Sequence, residues 1–478
     1  MVATIFWWLS FAIFVYFVVY VVVTFALIVM SLWQALLVKV ERGETFAPPR
    51  RLRRPGISLV APAYNMAPII VGCVRSFLSV DYEPFEVVIV DDGSTDDTIG
   101  ALVAAFDLTE IPVGDRLAIP TATITDIYVS RSDPRLRVVR KENGGRSDAV
   151  NAGLNVAYKE LVALTDGDTM LEKDALKRIG EVFAADPDGV VAVGGTVRIA
   201  NGSVIENYAV TKPRVARPGV EASQTAEYLR GFLGGRVAWS TMNGLLILSG
   251  AFGVFRRDLL RDSGGLSKQT LGEDMELTLR LHHQLRPQRP QTRIVYAADA
   301  NAWTEIPPRL APLRGQRIRW HAGLIDNLRI HRRMICRRRF GAAGTLALPY
   351  TILFELLGPL LQLAGYLILV VLVVEHRVNW PAAVALFVIT LLVGQLQTAG
   401  ALLIEEVAFH RYLVRDLMLL AGWSLAELFW FRPLTALWRV WATVLVLFDQ
   451  RPGWGSIPRG SAFQEQPEVE IAPAPLPR

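Results

Sequence analysis

Two carboxylates spaced i, i+2 close the apolar run at 161–168, which reads Leu-Val-Ala-Leu-Thr-Asp166-Gly167-Asp168. A buried strand that ends this way delivers acidic oxygens to the rim of a sheet. A hard divalent cation, Mg2+ or Mn2+, takes one or two carboxylates there and completes its shell with phosphate oxygens. Such an ion masks the charge of a departing diphosphate as a Lewis acid. Asp168 and Asp166 are therefore the metal candidates. A solvated acidic turn would use the same residues, so the weight rests on what surrounds them.

Four other constellations share the block. Asp91-Asp92-Gly93-Ser94-Thr95-Asp96 ends a strand-like run in an acidic turn. There Asp92 would accept from a nucleotide base or ribose, or the turn merely caps a helix. Glu142-Asn-Gly-Gly-Arg146-Ser147 opens a helix whose backbone N–H groups, with Arg146, would face a diphosphate; a plain turn reads the same way. Glu273-Asp274 opens another helical run, where a carboxylate can take the proton of an attacking hydroxyl. The alternative is an acidic first turn favoured by the helix dipole. Gln316, Arg319 and Trp320 sit at i, i+3 and i+4, one helical face whose amide, guanidinium and indole suit pyrophosphate and sugar. A basic amphipathic helix on lipid headgroups is the bland alternative. His282 and His283 have no matching ligand cluster, and Cys73 and Cys336 have no metal spacing and read as reduced thiols.

Residues 56–305 must position these groups. Apolar strand-like runs at 57–62, 86–90, 136–140, 161–165 and 190–197 alternate with helix-period stretches such as 69–79 and 147–158. Alternating β and α predicts a mostly parallel sheet with ligands at the carboxyl ends of its strands. Residues 110–131 lack a clear period and read as an inserted loop or hairpin.

The flanks are membrane-like. Of 478 residues, 52% are hydrophobic, and the excess is clustered rather than spread. No charge, Gly or Pro interrupts Val2 to Val38, which exceeds the roughly 20 apolar residues of one span. The run is too long for a cleaved signal peptide, so residues 1–40 read as an anchor. Lys39, Arg42 and the arginines of the 41–55 linker place the central block in the cytoplasm by the positive-inside rule. Residues 306–340 are arginine-rich and predict amphipathic helices at the membrane face. Apolar stretches at 342–374 and 381–404 predict two further spans. The stretch 417–448, broken at Arg432-Pro433, predicts a helical hairpin that crosses or re-enters. The Pro-, Ala- and Glu-rich end within 451–478 predicts a disordered cytoplasmic tail. The net charge of +5 is concentrated beside spans and requires no nucleic-acid partner.

In order along the chain, Pro62-Ala-Tyr64-Asn65, Asp91-Asp92-Gly93-Ser94, Asp166-Gly167-Asp168, Ser249-Gly250-Ala251-Phe252, Gly272-Glu273-Asp274 and Gln316-Arg-Ile-Arg319-Trp320 cover residues 56–320. This series resembles the processive, membrane-embedded inverting glycosyltransferases of family 2, which include cellulose, hyaluronan, chitin and poly-N-acetylglucosamine synthases. The resemblance implies an α/β GT-A domain inserted between transmembrane helices. It implies that Tyr64 and Asp92 contact uridine, and that Asp168 binds the metal bridging the UDP phosphates with Asp166 supporting that side. Asp274, with Glu273 beside it, would be the general base. Ser249 and Gly250 would line the acceptor site, and Gln316, Arg319 and Trp320 would hold diphosphate and acceptor sugar. Two positions depart from the family pattern. Met66 stands where Glu often follows Tyr-Asn, and Arg146 stands where Lys often follows Asn-x-Gly.

The resulting expectation is a multi-pass enzyme of the plasma (inner) membrane with a cytoplasmic catalytic domain. It would polymerise a UDP-sugar into a β-linked exopolysaccharide and translocate the chain. The ending Phe431-Arg-Pro-Leu, Trp438-Arg439 and Gly453-Trp454-Gly455 is similar to synthases of the poly-β-1,6-N-acetylglucosamine type, which favours UDP-N-acetylglucosamine. The alternatives are a β-glucan or hyaluronan-type synthase, a non-processive transferase acting on a polyprenyl phosphate or other lipid, and a non-enzymatic channel with a degenerate domain. Partners are the nucleotide sugar, the growing polysaccharide, the bilayer and an accessory membrane or periplasmic subunit.

Overall fold

The computed structural model describes residues 2–43, 53–114, 118–206 and 208–450. The predicted tail and most of the 41–55 linker lie outside these residues. Twelve strands form in chain order: β1 (Ile57–Ala63), β2 (Phe85–Asp92), β3 (Leu108–Ile111), β4 (Ile124–Ser130), β5 (Leu136–Lys141), β6 (Leu161–Leu164), β7 (Met170–Leu171), β8 (Val190–Ile199), β9 (Val204–Glu206), β10 (Ala209–Lys212), β11 (Gly253–Arg256) and β12 (Arg293–Thr304). Ten of them make one sheet in the order β3-β4-β5-β2-β1-β6-β11-β8-β12-β7, and β9 and β10 form a separate hairpin.

The centre of the sheet, β5-β2-β1-β6, is parallel throughout. Every residue of β2 and of β8 is buried, which explains why these strands read as unbroken apolar runs rather than alternating ones. From β1 the chain moves outward through β2 to β5 and then crosses back to β6 on the other side of β1. Their carboxyl ends therefore open a crevice of the kind that binds ligands in open α/β sheets. The result is a GT-A fold with a parallel centre and antiparallel flanks.

The five predicted strands are present with slightly displaced ends. At the two ends of the unassigned stretch 110–131, β3 and β4 pair antiparallel. Strands β11 and β12 escaped the sequence reading for different reasons. β11 is short and antiparallel between β6 and β8. β12 carries Asp299 and Asn301 across a register shift between Ala297 and Asn301, so its apolar pattern breaks where the strand bulges.

Three helical stretches among the described residues are long and apolar enough to cross a membrane: Phe14–Leu37, Ala343–Val374 and Ala383–Phe409. The predicted hairpin appears as two shorter helices, Val414–Ala426 and Phe431–Leu447, broken just before Arg432-Pro433. The main helix of the region 306–340, Leu310–Ile330, buries Leu313, Ile318, Ala322 and Ile325 and packs along Phe431–Leu447, and its Arg317 finds Glu227 inside the fold.

Ion pairs fix the sheet to the apolar helices. Arg198 of β8 is fully buried and lies 2.8 Å from Glu405 at the end of the third span. Its Nε donates to Asn301 of β12 at 2.7 Å, and its guanidinium faces the rings of Trp303, Phe409 and Tyr412. Arg411 reaches Glu172 at 2.8 Å beside this pair. Removing one partner of a buried ion pair strands the other charge, which costs about 3–5 kcal/mol. Glu405→Gln is thus expected to destabilise the detergent-solubilised protein by that order, seen as a lower unfolding midpoint. The double replacement Arg198→Met with Glu405→Met is expected to recover much of the loss, and thermal unfolding of the two variants checks both statements.

Candidate active site

The loops after β1 and β2 are stitched together. Asn65 takes a left-handed backbone, φ 50°, and its Oδ1 accepts from the Thr95 N–H at 2.8 Å. Its own N–H donates to Ser94 at 2.9 Å, and the Met66 N–H donates to Thr98 at 2.9 Å. This bracing leaves Tyr64 exposed at the crevice mouth. Met66, one of the two departures from the family pattern, is buried and packs against Gly167. A Cβ at Gly167 would stand 2.6 Å from the Pro62 carbonyl oxygen, so the acidic turn closes onto β1 only with glycine there.

Asp92 differs from its expected use. It is buried, and its carboxylate accepts from Lys141 at 2.6 Å and from the Gly144 and Gly145 N–H groups at 3.0 and 2.8 Å. Those bonds commit Asp92 to holding the 142–145 loop. The neighbouring Asp91 accepts from the Ser94 N–H at 3.3 Å, and its buried Oδ1 has no protein partner. Burial raises the Asp91 pKa, with the Ser94 bonds working against it. Asp91 thus keeps an acceptor atom with no protein partner.

Arg146 is also placed differently. Instead of opening outward it gathers three segments. Its Nε and Nη2 donate to Asp166 Oδ1 at 2.9 and 2.7 Å, its Nη1 to Glu273 at 2.5 Å, and its Nη2 to the Gly250 carbonyl at 2.9 Å. A Cβ at Gly250 would press to 2.7 Å from that guanidinium. Burial opposes the charge of Arg146, but Asp166 and Glu273 more than offset it, and its pKa is raised. Two residues of the sequence that were expected to face substrate, Arg146 and Asp166, are thereby joined to each other.

Asp274 sits in the first turn of the helix Glu273–Leu285. It accepts from the Met275 N–H at 2.8 Å and from the Gly250 N–H at 3.2 Å. Burial raises its pKa, while Arg146, these N–H groups and Arg236 pull the other way. Glu273 is raised by the same cause, against Arg146. Ser249 sits in the same loop, and its Oγ accepts from the Ala251 N–H at 3.4 Å.

No group of three or more His, Cys, Asp or Glu side chains among the described residues is arranged to hold a metal alone. The turn 166–168 fits a different kind of site. Asp166 spends Oδ1 on Arg146 and keeps its second oxygen, and Asp168 is half-buried at the rim. Two carboxylates suit a hard cation whose remaining ligands come from a bound diphosphate.

On the helix Leu310–Ile330 the expected common face is divided by burial. Trp320 is 46% exposed, whereas Arg319 is 7% exposed. Burial lowers the Arg319 pKa. Gln316 is half-buried, and its Oε1 has no protein partner. The intervening Arg317 lies over the Trp320 ring at 4.6 Å and pairs with Glu227 at 2.8 Å. Asn327 donates to the Gly272 carbonyl at 2.7 Å and so ties this helix to the Glu273–Asp274 turn.

Sequence reasoning missed Lys141, Arg236, Arg317 and Glu227. Lys141 stands opposite Asp92 in the parallel register, which only the sheet order reveals. Arg236 sits against Phe232 at 3.9 Å on an irregular helical turn, and no motif marks it.

The comparisons with known proteins bear on the family and the fold. A family model described as Glycosyltransferase like family 2 matches residues 55–323. The poly-beta-1,6-N-acetyl-D-glucosamine synthase of Staphylococcus aureus (strain COL) is 28% identical over 269 residues, covering 56% of this chain and 54% of the relative. That of Staphylococcus epidermidis is 27% identical over the same extent. The chain spans about half the length of the curated relatives it matches. Among solved structures, a mannosyltransferase from Pyrobaculum calidifontis in complex with GDP-Man and Mn2+ superposes with a TM-score of 0.50 at 19% identity, covering 90% of this chain and 99% of that one, which supports the shared fold. With that fold and a family match over more than half its length, the chain belongs to the family 2-like glycosyltransferases.

Proposed function

We propose that this protein is a processive inverting glycosyltransferase that extends a β-linked polysaccharide from a UDP-sugar, with UDP-N-acetylglucosamine as the donor. The observation that carries the reading is Asp274. It is a carboxylate of raised pKa, held by two backbone N–H groups, in the loop-and-turn cluster that also holds Asp166. A base must match its proton-transfer task, and burial moves a carboxyl in that direction. The donor is supported by the names of the curated relatives and by the motif order, and processivity by Gln316, Arg319 and the exposed Trp320.

In this mechanism the acceptor hydroxyl gives its proton to Asp274 as its oxygen attacks the anomeric carbon. The bond from that carbon to the diphosphate oxygen breaks on the opposite face, and configuration inverts in one displacement. Asp168 and Asp166 would hold a divalent cation, Mg2+ or Mn2+, that supplies charge neutralisation to the leaving diphosphate. Arg146 keeps Asp166, Glu273 and the Gly250 loop in register. Tyr64 at the crevice mouth flanks the base of the nucleotide, and Trp320 offers a flat face to the acceptor sugar. The apolar helices set the catalytic domain on the cytoplasmic face and pass the product outward.

The decisive assay is UDP release by the protein in lipid nanodiscs across a panel of UDP-sugars, with products sized on a gel. Long products from UDP-N-acetylglucosamine are expected. Transfer of one sugar to lipid would replace polymerisation with lipid glycosylation, and long products from another donor would reassign the sugar.

Asp274→Asn is expected to lower kcat by about 10²–10⁴-fold, the usual worth of a general base. UDP affinity should stay near that of the parent, as read by equilibrium binding. Retained turnover would remove Asp274 as the base.

The raised pKa fixes a pH dependence. Protonated Asp274 cannot accept a proton, so kcat/KM falls as pH drops through its folded pKa. Because that pKa is raised, the acid limb of the profile should lie above the ordinary aspartate range. An acid limb at or below that range would contradict the assignment.

Arg146→Lys retains charge but not the fork that reaches two carboxylates and a carbonyl. A loss of about tenfold or more in kcat/KM is expected, equivalent to about 1.4 kcal/mol or more, measured by UDP release.

A further inference from the structure

The helix Glu273–Leu285 presents its first turn to the catalytic carboxylates and its other end to a separate cavity of about 610 Å3. Side chains from that helix and from the segment after Leu310–Ile330 form its wall, among them His283, Gln284, His331 and Arg339. We infer that this cavity binds a phosphate-bearing anion, carried by a lipid headgroup or free in solution.

Charge is the first argument. The carboxylate in the wall, Glu276, is already paired with Arg280 at 2.9 Å and with His331 at 3.3 Å. Arg280 also donates from Nη1 to the Ser263 carbonyl and from Nη2 to the Gly265 carbonyl, and its buried Nε has no partner. Arg339, His283 and the amide of Gln284 remain to face a ligand. Arg332, Arg333, Arg337 and Arg338 stand exposed on the adjoining short turns. A cleft so surrounded concentrates anions.

The second argument is a buried polar atom. His331 is 3% exposed and lines the cavity, and its Nδ1 has no hydrogen-bond partner. A buried polar group left unmatched is costly. Its Nε2 lies 3.3 Å from Glu276, so Nδ1 is the ring atom left to be matched by an occupant of the cavity. His283 agrees with this: burial lowers its pKa, and His331, Arg339 and Arg333 lower it further. An anion in the cavity would relieve that field.

Position is the third. Arg339 and Phe340 immediately precede the apolar helix Ala343–Val374. If that helix crosses a bilayer, the cavity lies at headgroup depth, where anionic lipid phosphates are concentrated. The occupant would touch the helix that carries Asp274 and, through His331, the segment joined to it by the Asn327–Gly272 bond. Binding itself does not depend on the proposed reaction.

The test uses the full-length protein in detergent at constant ionic strength. One arm titrates pyrophosphate and inorganic phosphate and reads thermal stabilisation. The other adds phosphatidylglycerol or phosphatidylcholine and counts retained lipids by native mass spectrometry. In at least one arm the wild type should bind a phosphate-bearing anion in preference to its control, chloride or phosphatidylcholine. Arg339→Gln and His331→Gln should weaken that binding by about tenfold. Arg332→Gln, which removes a surface charge outside the wall, should not, and UDP affinity should be unchanged in all three. Arg339 is exposed, so its variant carries the test if the buried His331→Gln fails to fold. A response in the lipid arm alone assigns a headgroup, and a response in the soluble arm alone assigns a free phosphate. No preferential binding by the wild type, or equal losses in Arg339→Gln and Arg332→Gln, overturns the proposal. Neither readout requires turnover, so an inactive transferase would leave the result standing.

Discussion

The site depends on one guanidinium. Strand β6 delivers Asp166 to the crevice, and the helix that begins at Glu273 delivers two more carboxylates to the same place. At an effective dielectric near 20, two like charges about 4 Å apart repel by about 4 kcal/mol. Arg146 converts that repulsion into a joint by bonding Asp166, Glu273 and the Gly250 carbonyl at once. It also separates the roles of the acids. Asp166 and Glu273 are held by charge-assisted bonds, whereas the bonds given for Asp274 come from the Gly250 and Met275 N–H groups. The acid so treated keeps basicity that a direct guanidinium pair would have suppressed.

Similar pairing fixes the domain to its apolar helices. Glu427 is fully buried between Arg230 at 2.8 Å and Arg432 at 2.7 Å. Glu227 receives Arg317 at 2.8 Å, with Arg439 at 3.6 Å. Together with Arg198 and Glu405, these pairs join strands, the helix Leu310–Ile330 and the last two helices. An apolar interface could slide between registers, but a charge left behind in its interior would be stranded. Buried pairs of this kind specify one alignment even where their net stabilisation is small.

Much of the strand framework was legible because burial on both faces leaves an unbroken apolar run, as in β2 and β8. The acidic turns were legible because strand ends in a parallel sheet must point somewhere, and glycine with aspartate marks where. The protein partners of Arg146 and Asp92 were not legible because they lie far along the chain. Glu273 is 127 residues from Arg146, and Lys141 is 49 from Asp92. Which strand ends become neighbours is a property of sheet order, and a linear pattern does not contain it. The burial that divides Gln316, Arg319 and Trp320 was hidden for another reason. Helical spacing placed the three side chains correctly, but a helix buried on more than one side does not offer a uniform face. Arg319 went inward, Trp320 stayed out, and Arg317 joined the ring instead.

The helix Leu310–Ile330 shows why the catalytic and apolar parts form one device. At one end Asn327 grips the Gly272 carbonyl, immediately before the turn that carries Asp274. Along its length His321 meets Thr443 at 3.1 Å, and Leu313 and Ile318 pack with Phe431 and Trp438. Trp320 projects from between these two attachments. A shift of the helix Phe431–Leu447 must therefore move the exposed indole, the Gly272 turn, or both. In a chain that handed one sugar to a freely diffusing acceptor, such a linkage would constrain the site without benefit. Under the processive function proposed above, the same linkage would hold Trp320 and Asp274 in a constant relation from one addition to the next.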